Sequence, residues 1–232
     1  MGTPPASDHP FTPDLFARLD EEGDALFYRE ARKVTHLDVP ALAAVSAFFA
    51  EVIPRGAEVL DLMASWRSHL SRELVPKRVT GLGLNAEEMD DNPTLTERLV
   101  HDLNRDPRLP LADGSFDAVV NTVSIQYVTR PIEVLNDVAR VLRPGGRLAI
   151  VISDRCFPTK AVKIWQRCES MRERMELVMA YARHAAGFVE ILGVDLRPSR
   201  PPGEDPAVAV VARRAGPGAV DGSIRTTGWR RR

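Results

Sequence analysis

The sequence predicts a doubly wound α/β protein, a seven-stranded sheet with helices on both faces and an antiparallel hairpin at its C-terminal edge. Short apolar runs at residues 59–62, 78–83, 101–103, 116–120 and 147–153 alternate with helical or turn sequence, as strands buried on both faces do. The first run, Val59-Leu60-Asp61-Leu62, ends beside a carboxylate and must then turn back sharply, which puts it at the switch point where an open sheet of this kind binds ligands. Residues 189–196 and 207–212 are strand-like and joined by the loop PSRPPGEDP with no helix between them, which predicts the hairpin.

Composition narrows the function before any motif does. A chain of 232 residues, 44% hydrophobic and 27% charged, can bury one ordinary core with modest extensions. Lys+Arg 31 against Asp+Glu 32 leaves a net charge of -1, so no global field calls for nucleic acid or an anionic membrane, and the expected partner is a small molecule. Cys156 and Cys168 are too few for a disulfide framework and lack CxxC spacing, which fits a reducing cytoplasm. The opening MGTPPASDHPFTPD has no basic segment followed by an apolar one, and no run approaches ~18 apolar residues, so a cytoplasmic location is expected.

In chain order, residues 1–13 carry Pro4, Pro5, Pro10 and Pro13 and read as a loose arm. Residues 14–32 read as two short helical pieces broken by Gly23. Phe27, Tyr28, Arg32 and His36 are richer in polar and aromatic groups than a covering helix needs, so residues 1–40 are expected to form an arm and helical lid. Leu42, Val45, Phe48 and Phe49 make one helical face that ends before Pro54. A helix is expected over 67–74 after the first strand. The second strand ends near 84–85, and a helix over 86–91 stops at Asn92-Pro93. Residues 118–122 are the fourth strand, and Pro131 opens a helix with the stripe Ile132, Leu135, Val138, Ala139 and Leu142. Pro144-Gly145-Gly146 should end that helix before the strand at 148–152. A helix with Ala161, Ile164, Trp165 and Cys168 on one side follows. Ser170 with Glu173 reads as a capping box opening another, which Gly187 closes. Residues 41–214 then form one binding domain, and the tail 215–232, with its turn formers, is expected to be disordered.

The segments LPLADGSFDAVV, VARVLRPGGRLAIVIS and GFVEI, with FYREARKVTHLD and DRCFPTKAV, resemble the class I S-adenosyl-L-methionine (SAM) dependent methyltransferases over roughly residues 42–213. The pattern is most similar to a largely uncharacterised subset, methyltransferase type 11-like, with a divergent glycine loop. The resemblance implies the Rossmann-like class I methyltransferase fold, SAM as cofactor and a small-molecule methyl acceptor. In that family an acid precedes a GxGxG-like first loop. Here Asp61 keeps the acid, while Met63, Ser65 and Arg67 stand at the glycine positions. A positive φ at any of them would cost about 1 to 3 kcal/mol, so either the loop takes another course or SAM binds weakly. Ser65 is expected to offer its hydroxyl and N–H to the cofactor carboxylate at the N-terminus of the next helix.

The ribose-binding acid is expected at position 83, where the sequence has Gly83; Leu84 and Asn85 follow, and the Asn85 amide is the nearest polar acceptor. Asp102, Leu103 and Asn104 match the acidic loop that caps the adenine, and Asn121, Thr122 and Val123 are expected beneath the cofactor. Each has a plain structural alternative: Asp61 bonded to its own turn, Asn85 capping a helix, Asp102 capping a loop. Tyr28 and His36 are the candidate catalytic residues, His36 as a base with an ordinary pKa near 6.5, while Gln126, Tyr127, Asp154 and Arg155 gather above the same crevice. His69, His101 and His184 lack metal-ligand spacing, and neither GxSxG nor a P-loop lysine pattern occurs. The expected function is SAM-dependent O-, N- or C-methylation of a small organic molecule. Two alternatives stand beside it: a methyltransferase-fold binding module that has lost catalysis, and a nicotinamide dinucleotide enzyme, disfavoured because GxGxxG is absent and the terminal hairpin is present.

Overall fold

The computed structural model describes residues 9–216. Five strands run parallel: β1 (Glu58–Leu62), β2 (Arg78–Gly83), β3 (Glu97–Val100), β4 (Phe116–Thr122) and β5 (Leu142–Ile152). The hairpin follows, β6 (Phe188–Asp195) and β7 (Val208–Arg214), with β7 antiparallel between β5 and β6, so the order is β3-β2-β1-β4-β5-β7-β6. The chain winds outward from β1 in one direction and from β4 in the other, which leaves a crevice at their carboxyl ends. The central strands are buried on both faces, as their unbroken apolar runs require.

Each face carries its own core. On one, α2 (Val39–Val52) buries Ala41, Val45, Phe48 and Phe49; Asp38 caps it by accepting from the Ala41 N–H at 2.8 Å, and Pro40 lies in its first turn. On the other, α4 (Pro131–Val141) buries Ile132, Leu135, Val138 and Ala139, and α6 (Met171–His184) buries Leu177, Val178, Tyr181 and Ala182. The Ser170 hydroxyl accepts from the Glu173 N–H at 3.2 Å, while the Glu173 carboxylate reaches the Glu169 N–H rather than that of Ser170. The capping box is thus present with its return bond one residue early.

The two short helical pieces expected over 14–32 are present on either side of Gly23, a 3-10 turn, Pro13–Phe16, and a short helix, α1 (Asp24–Phe27). Three expectations need correction. The third strand is 97–100, not 101–103: Glu97–Val100 pair with Thr80–Gly83, and residues 101–103 form the loop beyond. Pro144-Gly145-Gly146 does not precede β5 but lies within it, beside a shift in the β4 register. Most consequentially, no helix follows β1, only a 3-10 turn at Arg72–Leu74.

The cause of this last difference is tertiary. The Ala64 N–H donates to the Leu82 carbonyl at 2.8 Å, drawing the loop back onto β2. The Asn92 amide donates to the Ser65 carbonyl at 2.8 Å and to the Ser68 hydroxyl at 3.0 Å. Polar groups that a helix would pair internally are paired from outside, and His69, at φ +53°, leaves the helical path. The tail expected to be disordered lies, beyond residue 216, outside the described residues.

The described part of the segment before α2 is tied to the rest of the fold. Arg18 grips buried Asp24 with both carboxylate oxygens, at 2.7 and 2.9 Å. The fully buried Lys160 lies 3.5 Å from Asp24 and 3.1 Å from Asp20, and donates to the Glu22 carbonyl at 2.7 Å. Asn104, in the loop after β3, donates to Asp24 at 2.6 Å, tying this segment to the carboxyl end of the sheet.

Candidate active site

The carboxyl ends of β1 to β4 open onto a cleft of about 130 Å³, room for roughly four water molecules at about 30 Å³ each. The loop after β1 supplies Met63, Ala64 and Ser65 to its wall, and the turn after β2 supplies Leu84 and Asn85. Asp102 and Leu103 close the far side, and Tyr28, Arg32 and His36 of the segment before α2 cover it. Six of the eight cofactor candidates therefore meet in one place, with both catalytic candidates. Asp61 and Asn121 do not. Asn121 is fully buried and donates to the Leu62 carbonyl at 2.9 Å and to the Ser124 hydroxyl at 2.8 Å, tying β1 to the loop after β4.

Asp61 faces an adjoining recess of about 60 Å³, bounded also by His36, Met63, Ser65 and His69. Its Oδ2 is buried and has no hydrogen-bond partner among the described residues. Burial pushes its carboxyl up to about 7, opposed in part by the Ser68 hydroxyl. Met63 does adopt the strained backbone its position demands, φ +62°, without a glycine. Arg67 borders the Asp61 recess but not the cleft, its guanidinium 3.9 Å from the Trp66 ring and donating to the Asp91 carbonyl at 3.0 Å. The cleft is therefore not plugged by that arginine.

Ser65 does not stand at a helix N-terminus, because that helix is absent; its hydroxyl donates to Glu88 at 2.6 Å. Asn85 caps α3 (Ala86–Asp90), accepting from the Glu88 N–H at 2.9 Å, and its amide donates to the carbonyls of Tyr28 at 2.9 Å and Arg29 at 3.1 Å. Its side chain is thus spent on the protein, in its structural alternative. Asp102 Oδ1 accepts from the N–H groups of Asn104 at 2.9 Å and Arg105 at 3.2 Å, while no bond within the described residues occupies Oδ2.

Two residues escape sequence reasoning, Glu88 in the cleft and His69 in the Asp61 recess. Glu88 is buried and accepts from Ser65 and, at 2.6 Å, from the Arg32 N–H. Its neighbour Glu87 instead faces Lys33 at the surface. A five-residue helix carries too little periodicity to tell which of two adjacent acids points inward. His69 reaches the Asp61 recess only because the expected helix is a loop.

Aromatic rings floor the site. Phe157 contacts Phe27 and His36, each at 5.4 Å between ring centroids, and Tyr127 at 5.9 Å, and the Arg32 guanidinium lies 4.4 Å over Phe27. The Tyr127 hydroxyl accepts from the Phe157 N–H at 2.9 Å. Tyr127→Phe removes that acceptor, and is expected to cost about 1 to 2 kcal/mol and lower the melting temperature by roughly 2 to 8 °C; an unchanged melting curve would contradict the role given to this bond. Burial holds the Tyr28 phenol well above its ordinary value, so it stays protonated and does not serve as a base. Burial pulls the His36 imidazole below its ordinary value, against the pull of Glu88, leaving it neutral at pH 7.

Residues 64–150 match the methyltransferase domain family. The sheet and its edge hairpin have the class I methyltransferase fold. A ubiquinone/menaquinone biosynthesis C-methyltransferase from Roseobacter denitrificans is 54% identical over 43 residues, covering 18% of this chain and 17% of the relative. A demethylmenaquinone methyltransferase from Listeria monocytogenes is 31% identical over 108 residues, covering 43% and 46%. The chain thus spans less than half the length of these curated relatives. The crystal structure of a SAM dependent methyltransferase from Aquifex aeolicus shares the fold, with a TM-score of 0.56 at 17% identity over 77% of this chain and 94% of that one.

SAM, the cofactor of this class, has an ammonium group at one end and an adenine amine at the other. The cleft and its adjoining recess hold two carboxyl oxygens without a partner among the described residues, Oδ2 of Asp61 and the second oxygen of Asp102. Between them the usual ribose acid has no place: a Cβ built on Gly83 collides with the Ala64 carbonyl oxygen, so the β1 loop occupies the space a side chain would need.

Proposed function

We propose that this protein is a SAM-dependent methyltransferase acting on a small organic molecule. The observation that carries the reading is the orphaned carboxyl oxygen of Asp61, buried where a cationic group would offset the cost of its charge. When bound, SAM supplies an activated methyl group, so the protein's task is alignment, exclusion of water and proton removal. In this reading Asp61 holds the ammonium end and Asp102 the adenine. The lid, residues 1–40 with their described part from residue 9, keeps water out through the Asp24 cluster.

The acceptor belongs in an open recess of about 460 Å³ next to the cleft, bounded by His36, Val123, Tyr127, Arg155 and Phe157. Its aromatic floor suits an acceptor with an apolar, ring-like body. His36 lines cleft and recess alike and, being neutral, is placed to accept a proton from an acceptor hydroxyl or amine. The quinone-pathway relatives match over only 43 and 108 residues, too little of either chain to carry a quinone acceptor over.

The test is transfer of a labelled methyl group from SAM to members of a metabolite library. With a productive acceptor, His36→Gln is expected to lower kcat about 100-fold with little change in KM. The wild-type rate should rise with pH to a plateau reached below pH 7, and His36→Gln should lose that rise. Full activity in the variant removes His36 from the mechanism; no transfer to any acceptor favours the second reading, a binding module without catalysis. One observation supports that second reading, the missing helix after β1.

A further inference from the structure

Gly83 cannot be replaced by the acid its position is expected to hold, because the Ala64 carbonyl fills the side-chain space and the Ala64 N–H is pinned to Leu82 at 2.8 Å. Five residues on, a carboxylate does face the cleft. Glu88 is 7% exposed and forms no ion pair among the described residues. The nearby Arg32 guanidinium lies over the Phe27 ring and donates to the Phe27 carbonyl at 2.8 Å instead. Each Glu88 oxygen accepts one bond, from the Arg32 N–H and the Ser65 hydroxyl, both at 2.6 Å. A carboxylate has about four acceptor sites, so roughly one remains on each oxygen. A buried acid without a cation is costly unless its acceptors are filled.

We propose that Glu88 accepts the vicinal hydroxyls of a ribose bound in the cleft, in place of the acid that Gly83 excludes. Two oxygens on one carbon, each with an acceptor site free, match the two parallel donors of a cis-diol. The proposal rests on the nucleoside-cofactor reading above. It moves the ribose contact from the end of β2 into the first turn of α3, and explains how position 83 tolerates glycine. It also gives Ser65 a part, since its hydroxyl competes with the ribose for Oε2.

The test is calorimetric titration with S-adenosylhomocysteine and its 2′-deoxy counterpart. Wild-type protein should bind the ribose form about tenfold or more tightly, as a hydrogen bond to a charged acceptor warrants. Glu88→Gln should shrink that ratio severalfold, whereas Asp102→Asn should weaken both ligands and leave the ratio unchanged. Because Glu88 also holds Ser65 and the lid, Ser65→Ala gives an arm that keeps the carboxylate, and should widen the ratio by freeing Oε2. A full ratio in folded Glu88→Gln overturns the proposal, as does an unchanged ratio in Ser65→Ala if the glutamine variant fails to fold. Wild-type indifference to the 2′-hydroxyl overturns the proposal while leaving the cofactor reading standing, and wild-type binding of neither ligand overturns both.

Discussion

Asp61→Asn is expected to stabilise the free protein above pH 7 while weakening its hold on SAM. The wild-type carboxyl is raised from 3.8 to about 7 by burial, so between those values the folded state keeps a proton that the unfolded chain has released. Stability therefore falls as pH rises through that window, and above pH 7 the penalty from this one group is about 4 kcal/mol at 1.36 kcal/mol per unit. Asparagine never ionises and escapes the penalty. Denaturant unfolding of both proteins at pH 5 and pH 8 checks this: the difference between them should grow toward pH 8 in favour of the variant. In titrations with SAM the same substitution should cost about tenfold or more in Kd, because a charged acceptor for the ammonium is gone. Parallel pH profiles would show that Asp61 is not strained by its burial.

Gly83→Asp should fail in the opposite manner, damaging the protein without repairing the site. Restoring the family's acid forces a side chain into the Ala64 carbonyl, which cannot yield without breaking its loop from the β2 end. Backbone overlap of this kind costs about 3 kcal/mol or more, lowering the melting temperature by roughly 6 to 12 °C for a domain of this size. SAM affinity should fall too, since the displaced loop carries Met63 and Ser65. A variant that melts like wild type and binds more tightly would show that the loop after β1 is free to move aside.

Strands β1, β2, β4 and β5 were legible because parallel buried strands are continuous apolar runs, whereas the largely exposed β3, Glu97–Val100, was not; the hairpin was legible because nothing helical lies between residues 196 and 207. The capping box at Ser170 and the Asn85 cap were legible because those side chains bond locally. The loop after β1 was not. Residues 67–74 contain nothing that forbids a helix, and the partners that unmake it, Leu82 and the Asn92 side chain, come from elsewhere in the chain. The same event moved the site: once the loop folds back on β2, Gly83 becomes obligatory, Ser65 turns to Glu88, and Asp61 is left facing its own recess. Departures at Met63, Ser65 and Gly83 that read in sequence as three separate losses are one rearrangement.

Calorimetric titration of the wild-type protein with SAM tests the account most directly. Saturable binding at one site per chain, weakened by both Asp61→Asn and Asp102→Asn, is the expected result. Absence of binding, or binding untouched by both substitutions, would contradict the claim that the crevice between these two carboxylates holds the cofactor.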